Sequence, residues 1–187
     1  MAMIGLRYVV AAPQKEAGQT VTYDKGFVVG RAMKADIKIN TSDAKLYGDD
    51  VVVESDRSFT DGTVDIGVTQ MTEDIQSKLL GHSVSEEGGE IIANSDDVAP
   101  YVGLGFYAPK LENNVKKYRA IWFTKVNFGE PSESLATREG STAFVTPSMT
   151  GSIMADAAGN WKKEQTFLNE AEAKAYLDKL AGLNTSE

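Results

Sequence analysis

Regular alternation of apolar and polar side chains over residues 32–40 and 63–69 constrains the fold of this chain more than any other sequence feature. The apolar positions of this alternation are Ala35, Ile37, Ile39, Val64, Ile66 and Val68. Successive side chains of a β-strand point to opposite faces, so a period of two gathers these residues on one face. The pattern therefore predicts two strands, each with a buried face and a polar face.

Similar signals elsewhere predict that most of the chain is β-structure. The other segments rich in aliphatic and aromatic residues are residues 4–11, 101–107, 115–128 and 141–154. Such segments favour strands because branched and aromatic side chains pack well on a pleated surface. We therefore expect a mainly β fold, a β-sandwich or partly open barrel with two short flanking helices.

The two helices are predicted from short amphipathic segments, residues 72–80 and 169–181. Each begins at a residue suited to the N-cap and is followed by a glycine, Gly81 or Gly182, suited to the helix C-terminus. With 187 residues and 42% hydrophobic content, the chain is long enough for one core. We therefore expect a single domain over residues 1–187, ending in the helix at about 169–181.

The stretch between the two alternating strands, about residues 41–58, lacks their pattern. It carries five acidic residues around one tyrosine and three consecutive valines. Read from the sequence, it is a long inter-strand loop, well beyond the usual hairpin length of about 2–5 residues. Loops of this length in compact domains are usually functional or disordered, and the apolar residues argue against simple disorder.

Charge and composition exclude several classes of function. The chain has 19 basic and 27 acidic residues and a net charge of −8, which argues against a grip on nucleic acid through its phosphates. It has 0 cysteines, so disulfides and thiolate metal sites are impossible. No apolar run approaches the ~20 residues of a membrane anchor. We expect no cofactor and no metal.

Candidate catalytic residues are also scarce. The chain has 1 histidine, His82, directly after the first predicted helix, and we interpret it as an ordinary surface or capping residue. Trp122 and Phe123 are neighbours in a predicted strand, so only one of them is expected to point inward. An enzyme therefore ranks last among the possible functions.

A binding module remains an open alternative at this point. A monomeric β-sandwich can recognise a carbohydrate or a cell surface through exposed aromatic side chains. Trp122 or Tyr118 would be the platform in that case. Glycan binding without self-assembly would favour this function.

Several segments, taken in order, resemble a known family. They are IGLRYVVAAP, KADIKINTSDAKLYGDDVVVESDRSFTDGTVDIGV, KLLGH, YVGLGFY, YRAIWFTKVNFGEPSES and EAEAKAYLDKLAG. Together they resemble the major tail proteins, or tail tube proteins, of long non-contractile-tailed bacteriophages of Gram-positive hosts. The resemblance extends over nearly the full length, and it depends on the order of the segments rather than on any catalytic signature.

The resemblance implies a structural virion protein. Such subunits assemble with themselves into hexameric rings, and the rings stack into the tail tube that conducts DNA into the host. Further partners would be the tape-measure protein, the tail terminator and distal tail proteins. DNA would pass without specific binding, no membrane anchor is expected, and the protein would be made in the host cytoplasm and located in the virion tail.

The resemblance also suggests site residues. The stretch at 41–58 would reach neighbouring subunits, and the candidates for that contact are Tyr47, Asp49, Asp50, Val51, Val52, Val53 and Glu54. Asp36 and Asp65, on the polar faces of the alternating strands, are candidates for the lumen wall. Six copies at −8 each would repel DNA from such a wall. Lys34 and Lys38 share the face of Asp36, however, so this strand is not uniformly acidic.

Overall fold

In the computed structural model, residues 2–3, 5–48, 51–85, 89–132 and 147–183 are described. Their strands are β1 (Ala2–Met3), β2 (Arg7–Ala17), β3 (Thr20–Tyr23), β4 (Phe27–Gly30), β5 (Ala32–Gly48), β6 (Val51–Val68), β7 (Ser83–Val84), β8 (Ile91–Ile92), β9 (Tyr101–Glu112), β10 (Val115–Phe128), β11 (Ser148–Met154) and β12 (Lys162–Phe167). The helices are α1 (Glu73–Leu80) and α2 (Glu170–Leu180). Neither helix is long and apolar enough to cross a membrane.

Ten of the strands form one antiparallel sheet. Its main path runs β3-β2-β9-β10-β11-β6-β5, and β1, β4 and β12 attach to β9, β2 and β10. At the centre, β9 and β10 form a hairpin closed by Asn113 and Asn114, both with positive φ. Asparagine tolerates this conformation, which a two-residue hairpin turn requires. The sheet does not close into a barrel, because β5 and β3 remain at its two ends, and the predicted mainly β fold is confirmed.

The centre of the sheet is covered on both faces, which corrects the prediction for Trp122 and Phe123. Both are buried, at 0% and 1% exposure. Phe123 points into the main core between the halves of the curved sheet, whereas Trp122 points to the opposite face under α2. The two side chains still point to opposite faces of the sheet, but each face is covered by a core. Tyr118 is also buried beside α2, so neither aromatic is available as the platform of a carbohydrate-binding module.

The predicted helices are confirmed. In α2, Ala173 and Leu177 face the sheet, and α1 buries Leu79 and Leu80 against the main core. Thr72 and Asn169 occupy the N-cap positions but make no side-chain capping bond. The helices are therefore held mainly by their buried faces, as is usual for helices this short.

The predicted loop at 41–58 is wrong, because residues 41–48 and 51–58 form the outer part of two long paired strands. β5 and β6 pair from Ala32 with Val68 to Gly48 with Val51, with three irregularities in register. The described side chains of this outer part are exposed or, at Phe59, only partly buried. Hydrophobic alternation marks a strand only when one face is buried. A ribbon whose two faces are both exposed to solvent lacks that signal. Its polar sequence therefore favours a loop when the sequence is considered alone.

Candidate assembly surface

The outer edge of β5 is a free sheet edge. Over its 17 residues, β5 pairs only with β6 in the part of the chain that the structure describes. Among the described residues, the backbone N–H and C=O groups on its other side therefore have no strand partner. Such an edge is a template for pairing with another chain, and a protein that stays monomeric has to cover or blunt it.

The hairpin of β5 and β6 extends beyond the sheet as a two-stranded ribbon. We call residues 41–48 and 51–59 the arm. The neighbouring strand β11 contacts β6 only between Gly62 and Gly67, so the arm begins where the sheet ends. At about 3.3 Å per residue, its eight residues from Thr41 to Gly48 span roughly 26 Å.

The described interactions of the arm lie within the arm, apart from those at its base. The Ser42 and Ser58 hydroxyl oxygens are 2.7 Å apart, and the Asp43 carboxylate accepts a hydrogen bond from Ser55. Arg57 lies 3.6 Å from the same carboxylate. Exposed contacts of this kind contribute little to stability, and an isolated two-stranded hairpin is marginal in water. The arm therefore receives little stabilisation from contacts within its own subunit.

One aromatic contact anchors the base of the arm. Phe59, the last residue of the arm, stacks face to face on Trp161 with ring centroids 4.5 Å apart. Trp161 precedes β12, so this stack joins the hairpin to the strand attached to β10. This stack fixes the direction in which the arm extends from the rest of the subunit.

The predicted contact residues lie at the end of the arm. Tyr47 and Val51–Val53 belong to the paired strands by backbone, and their side chains lie outside what the structure describes. Asp49 and Asp50 lie outside the described residues altogether. Glu54 is exposed, with Leu46 as its cross-strand partner. The structure thus brings together the backbone of Tyr47, Val51–Val53 and Glu54 in the paired outer part of β5 and β6, and the role of the whole set stays a prediction.

The predicted lumen candidates are cross-strand partners on an exposed polar face. Asp36 pairs with Asp65, and Asp65 accepts a hydrogen bond from the Thr150 hydroxyl. Lys34 forms an ion pair with Asp36, and this contact raises the pKa of the lysine, first through its hydrogen bond and then through the charge of the carboxylate. Lys38 lies two residues further along the same face. This face therefore mixes both signs of charge.

An apolar cleft opens beside the free edge. Its volume is about 270 Å³, and we call it the edge cleft. Its apolar walls come from β5 and from the β9–β10 hairpin, with the residues Ala35, Ile37, Ile39, Phe106, Ile121 and Phe123.

Two cations stand at the rim of the edge cleft. Arg119 and Lys162 both bind Glu164, at 2.7 and 2.8 Å. Their hydrogen bonds lower the pKa of that carboxyl, with the bond from Lys162 contributing most. Ile37 remains 39% exposed at the mouth of the cleft. The arrangement offers a partner an apolar floor with charged groups beside it.

His82 is buried, which corrects its interpretation as a surface residue. Its Nδ1 lies 2.8 Å from Asp97 Oδ2, and its Nε2 lies 2.8 Å from Glu130 Oε1. With a carboxylate facing each ring nitrogen, both nitrogens donate only in the imidazolium form. The hydrogen bond to Asp97 raises the pKa of His82 more than burial lowers it, and Glu130 adds to the rise.

Asp97 is the better-buried partner of His82. A backbone N–H bond from Asn94 and then the bond from His82 lower the pKa of its carboxyl. These residues join the connection after α1 to the end of β10. No local sequence signal reveals the cluster, because its carboxylates are 15 and 48 residues from His82.

Comparison with known proteins adds one match. The model of a family described as phage tail tube protein matches residues 32–180. The match begins at the first residue of β5 and ends at the last residue of α2, so it includes the arm, His82 and all the residues that line the edge cleft except Gly5 and Leu6. Among curated proteins, no sequence matches the chain.

Proposed function

The chain belongs to the phage tail tube protein family, and we propose that it assembles into stacked hexameric rings that form the conduit for DNA ejection. The family is a structural one: its members form the tube of the virion tail with other tail proteins. We further propose the tape-measure, tail terminator and distal tail proteins as partners, synthesis in the host cytoplasm, and no enzymatic role.

The observation that carries this proposal is the free edge of β5, continued by the arm. Ring closure needs a heterologous contact in which one surface of a subunit meets a different surface of the next. Pairing of β5 with a strand of the neighbouring subunit would satisfy its backbone groups and extend the sheet around the ring. The body keeps its own core buried without that contact, so the edge is free for assembly.

The arm is proposed as the second contact between subunits. Its end carries Tyr47 and three valines, which would be buried against a neighbour, and acids such as Glu54 that would pair or remain solvated. Burying a valine side chain contributes roughly 1.5–3 kcal/mol. Three of them would outweigh the small cost of ordering a ribbon whose backbone is already paired.

The polar face with Asp36 and Asp65 is proposed as the lumen wall. Its lysines, Lys34 and Lys38, balance much of its negative charge. A wall with neighbouring charges of both signs offers DNA no continuous basic track for its phosphates. Passage without sticking would then depend on the absence of a basic track rather than on uniform repulsion.

Negative-stain electron microscopy of the purified protein tests the proposal. We expect hollow tubes or six-fold rings as the protein concentration rises. Analytical ultracentrifugation over the same range provides the independent measure of mass. A species that stays monomeric at high concentration under every salt condition would refute self-assembly.

Polar substitution of the arm tests the second contact. A variant with Tyr47, Val51, Val52 and Val53 changed to serine or threonine should keep its circular dichroism spectrum and thermal transition but polymerise poorly. Loss of folding would instead identify these residues as core.

Trypsin provides a check on the unmodified protein. Cleavage at Lys45 and Arg57, both exposed on the arm, is expected in free subunits and should disappear in tubes. Equal cleavage in both states would show that the arm remains uncovered after assembly. Cleavage elsewhere on the body serves as the internal control for access of the protease to the tube.

A further inference from the structure

The edge cleft has an apolar floor that the described residues of the subunit leave open. Resting on the proposed self-assembly, we propose that the edge cleft receives the end of the arm of a second copy of this chain. Pairing along β5 does not by itself fill the cleft, because edge pairing uses backbone groups whereas the cleft is lined by side chains. The cleft has a volume of about 270 Å³, and an apolar occupant would release the water that enters it.

The occupant is not the arm of the same subunit. The cleft is lined by Ala35, Ile37 and Ile39 of β5, and the arm is the continuation of that same strand to Gly48. Nine residues separate Ile39 from Gly48, which is roughly 30 Å in a strand. A continuous paired ribbon cannot fold back over its own base, so the arm reaches a cleft only on another molecule.

The chemistry of the arm fits the edge cleft. At its end stand three valines, with Asp49 and Asp50 before them and Glu54 after them. Residues 41–59 contain five acidic and two basic residues, a net charge of −3. The cleft offers apolar walls to the valines, and its rim carries Arg119 and Lys162 against one acid, Glu164, a net charge of +1. Opposite charge around an apolar contact sets register and orientation.

Disulfide cross-linking can test this contact without interference from native thiols, because the chain has 0 cysteines. Ile37→Cys places a thiol at the half-open mouth of the cleft, and Val52→Cys places one at the end of the arm. The two proteins are mixed, assembled and mildly oxidised. We expect a disulfide-linked dimer in tubes but not in free subunits, and no dimer when Lys163→Cys, on the exposed part of β12, replaces Ile37→Cys.

Maleimide labelling of the Ile37→Cys protein identifies other occupants. We expect the thiol to react in free subunits and to be protected in tubes. Protection already in the free subunit would show that a segment of the same chain covers the cleft, and it would overturn the inference. Tubes without the mixed disulfide would overturn it as well and leave the proposed function intact. Absence of any assembly would instead refute both.

A charge-exchange experiment tests the same contact independently. Lys162→Glu should raise the protein concentration needed for polymerisation about tenfold, and adding Glu54→Lys should restore most of the loss. Lys163→Glu carries the same charge change one residue away and should have little effect. A double variant no better than Lys162→Glu alone would show that the lysine acts within its own subunit and would overturn the pairing.

Discussion

His82 provides the sharpest test of the structure, because its burial contradicts what the sequence suggests. We predict that His82→Gln destabilises the protein although the residue belongs to neither apolar core. Glutamine keeps the size and one neutral hydrogen bond but loses the charge. Hydrogen bonds to charged groups contribute roughly 1.5–3 kcal/mol, so about 1–2 kcal/mol should be lost. For a chain of this length that corresponds to about 2–8 °C in Tm.

The loss depends on pH with a definite sign. The pKa of His82 is raised above its ordinary value of 6.5, so its stabilising charge is fully present below that pH and declines as pH rises through the raised pKa. The pKa of Asp97 is lowered below 3.8, so its part is present above that pH. The difference in Tm between wild type and variant should therefore be largest between about pH 4 and 6.5 and narrow towards about pH 9.

Thermal denaturation followed by circular dichroism across that range is the assay. Lys78→Gln is the matched control, because Lys78 forms an exposed ion pair with Asp74 at 2.6 Å, and such pairs contribute little. Its Tm should stay within about 2 °C of wild type and show no matching pH dependence. A His82 variant that differs from wild type equally at pH 5.5 and 9, or does not differ at all, would refute the charged interaction.

The remaining predictions concern the two covered faces of the sheet, and urea denaturation measures both. Leu177→Ala should cost about 2–5 kcal/mol by opening a cavity under α2, whereas Leu168→Ala, at a 69% exposed position, should cost little. Gly103→Ala should cost about 1–3 kcal/mol or prevent folding, because the new Cβ would lie 2.3 Å from Trp122. Gly129→Ala is its control, since the nearest atom there is 3.8 Å away. Similar stability of the two glycine variants would contradict the close packing at Trp122.

The sequence reveals much of the fold because local patterns reflect local burial. The alternation at residues 32–40 and 63–69 comes from side chains that face one core, and the helix ends at Gly81 and Gly182 come from the positive φ that glycine permits. These features depend on neighbours in sequence. The mainly β class and the two flanking helices follow from them.

What the sequence does not reveal depends on distant neighbours. Trp122 is buried only because α2, about 50 residues later, covers the second face of the sheet. His82 is buried, and its pKa is raised, because Asp97 and then Glu130 bind its ring from two other connections. The arm shows the opposite case, since strands without a buried face carry no alternation to detect. The strands of the arm are defined by backbone pairing alone, and backbone pairing leaves no pattern of side chains in the sequence.

The distribution of burial supports the proposal that the free edge of β5 and the arm serve assembly. The rest of the subunit completes its cores with β2, β4, the inner part of β6, β9, β10, β11 and the two helices. The described arm residues take no part in either core except at the base, where Phe59 packs. In a protein that stays monomeric, a ribbon of this length would be unfavourable, because it exposes backbone groups and its internal contacts contribute little stability. In a tube the same ribbon and the same open edge would be covered by neighbours. Their stabilisation would then come only on assembly, and the free subunit would be folded with its edge and arm still uncovered.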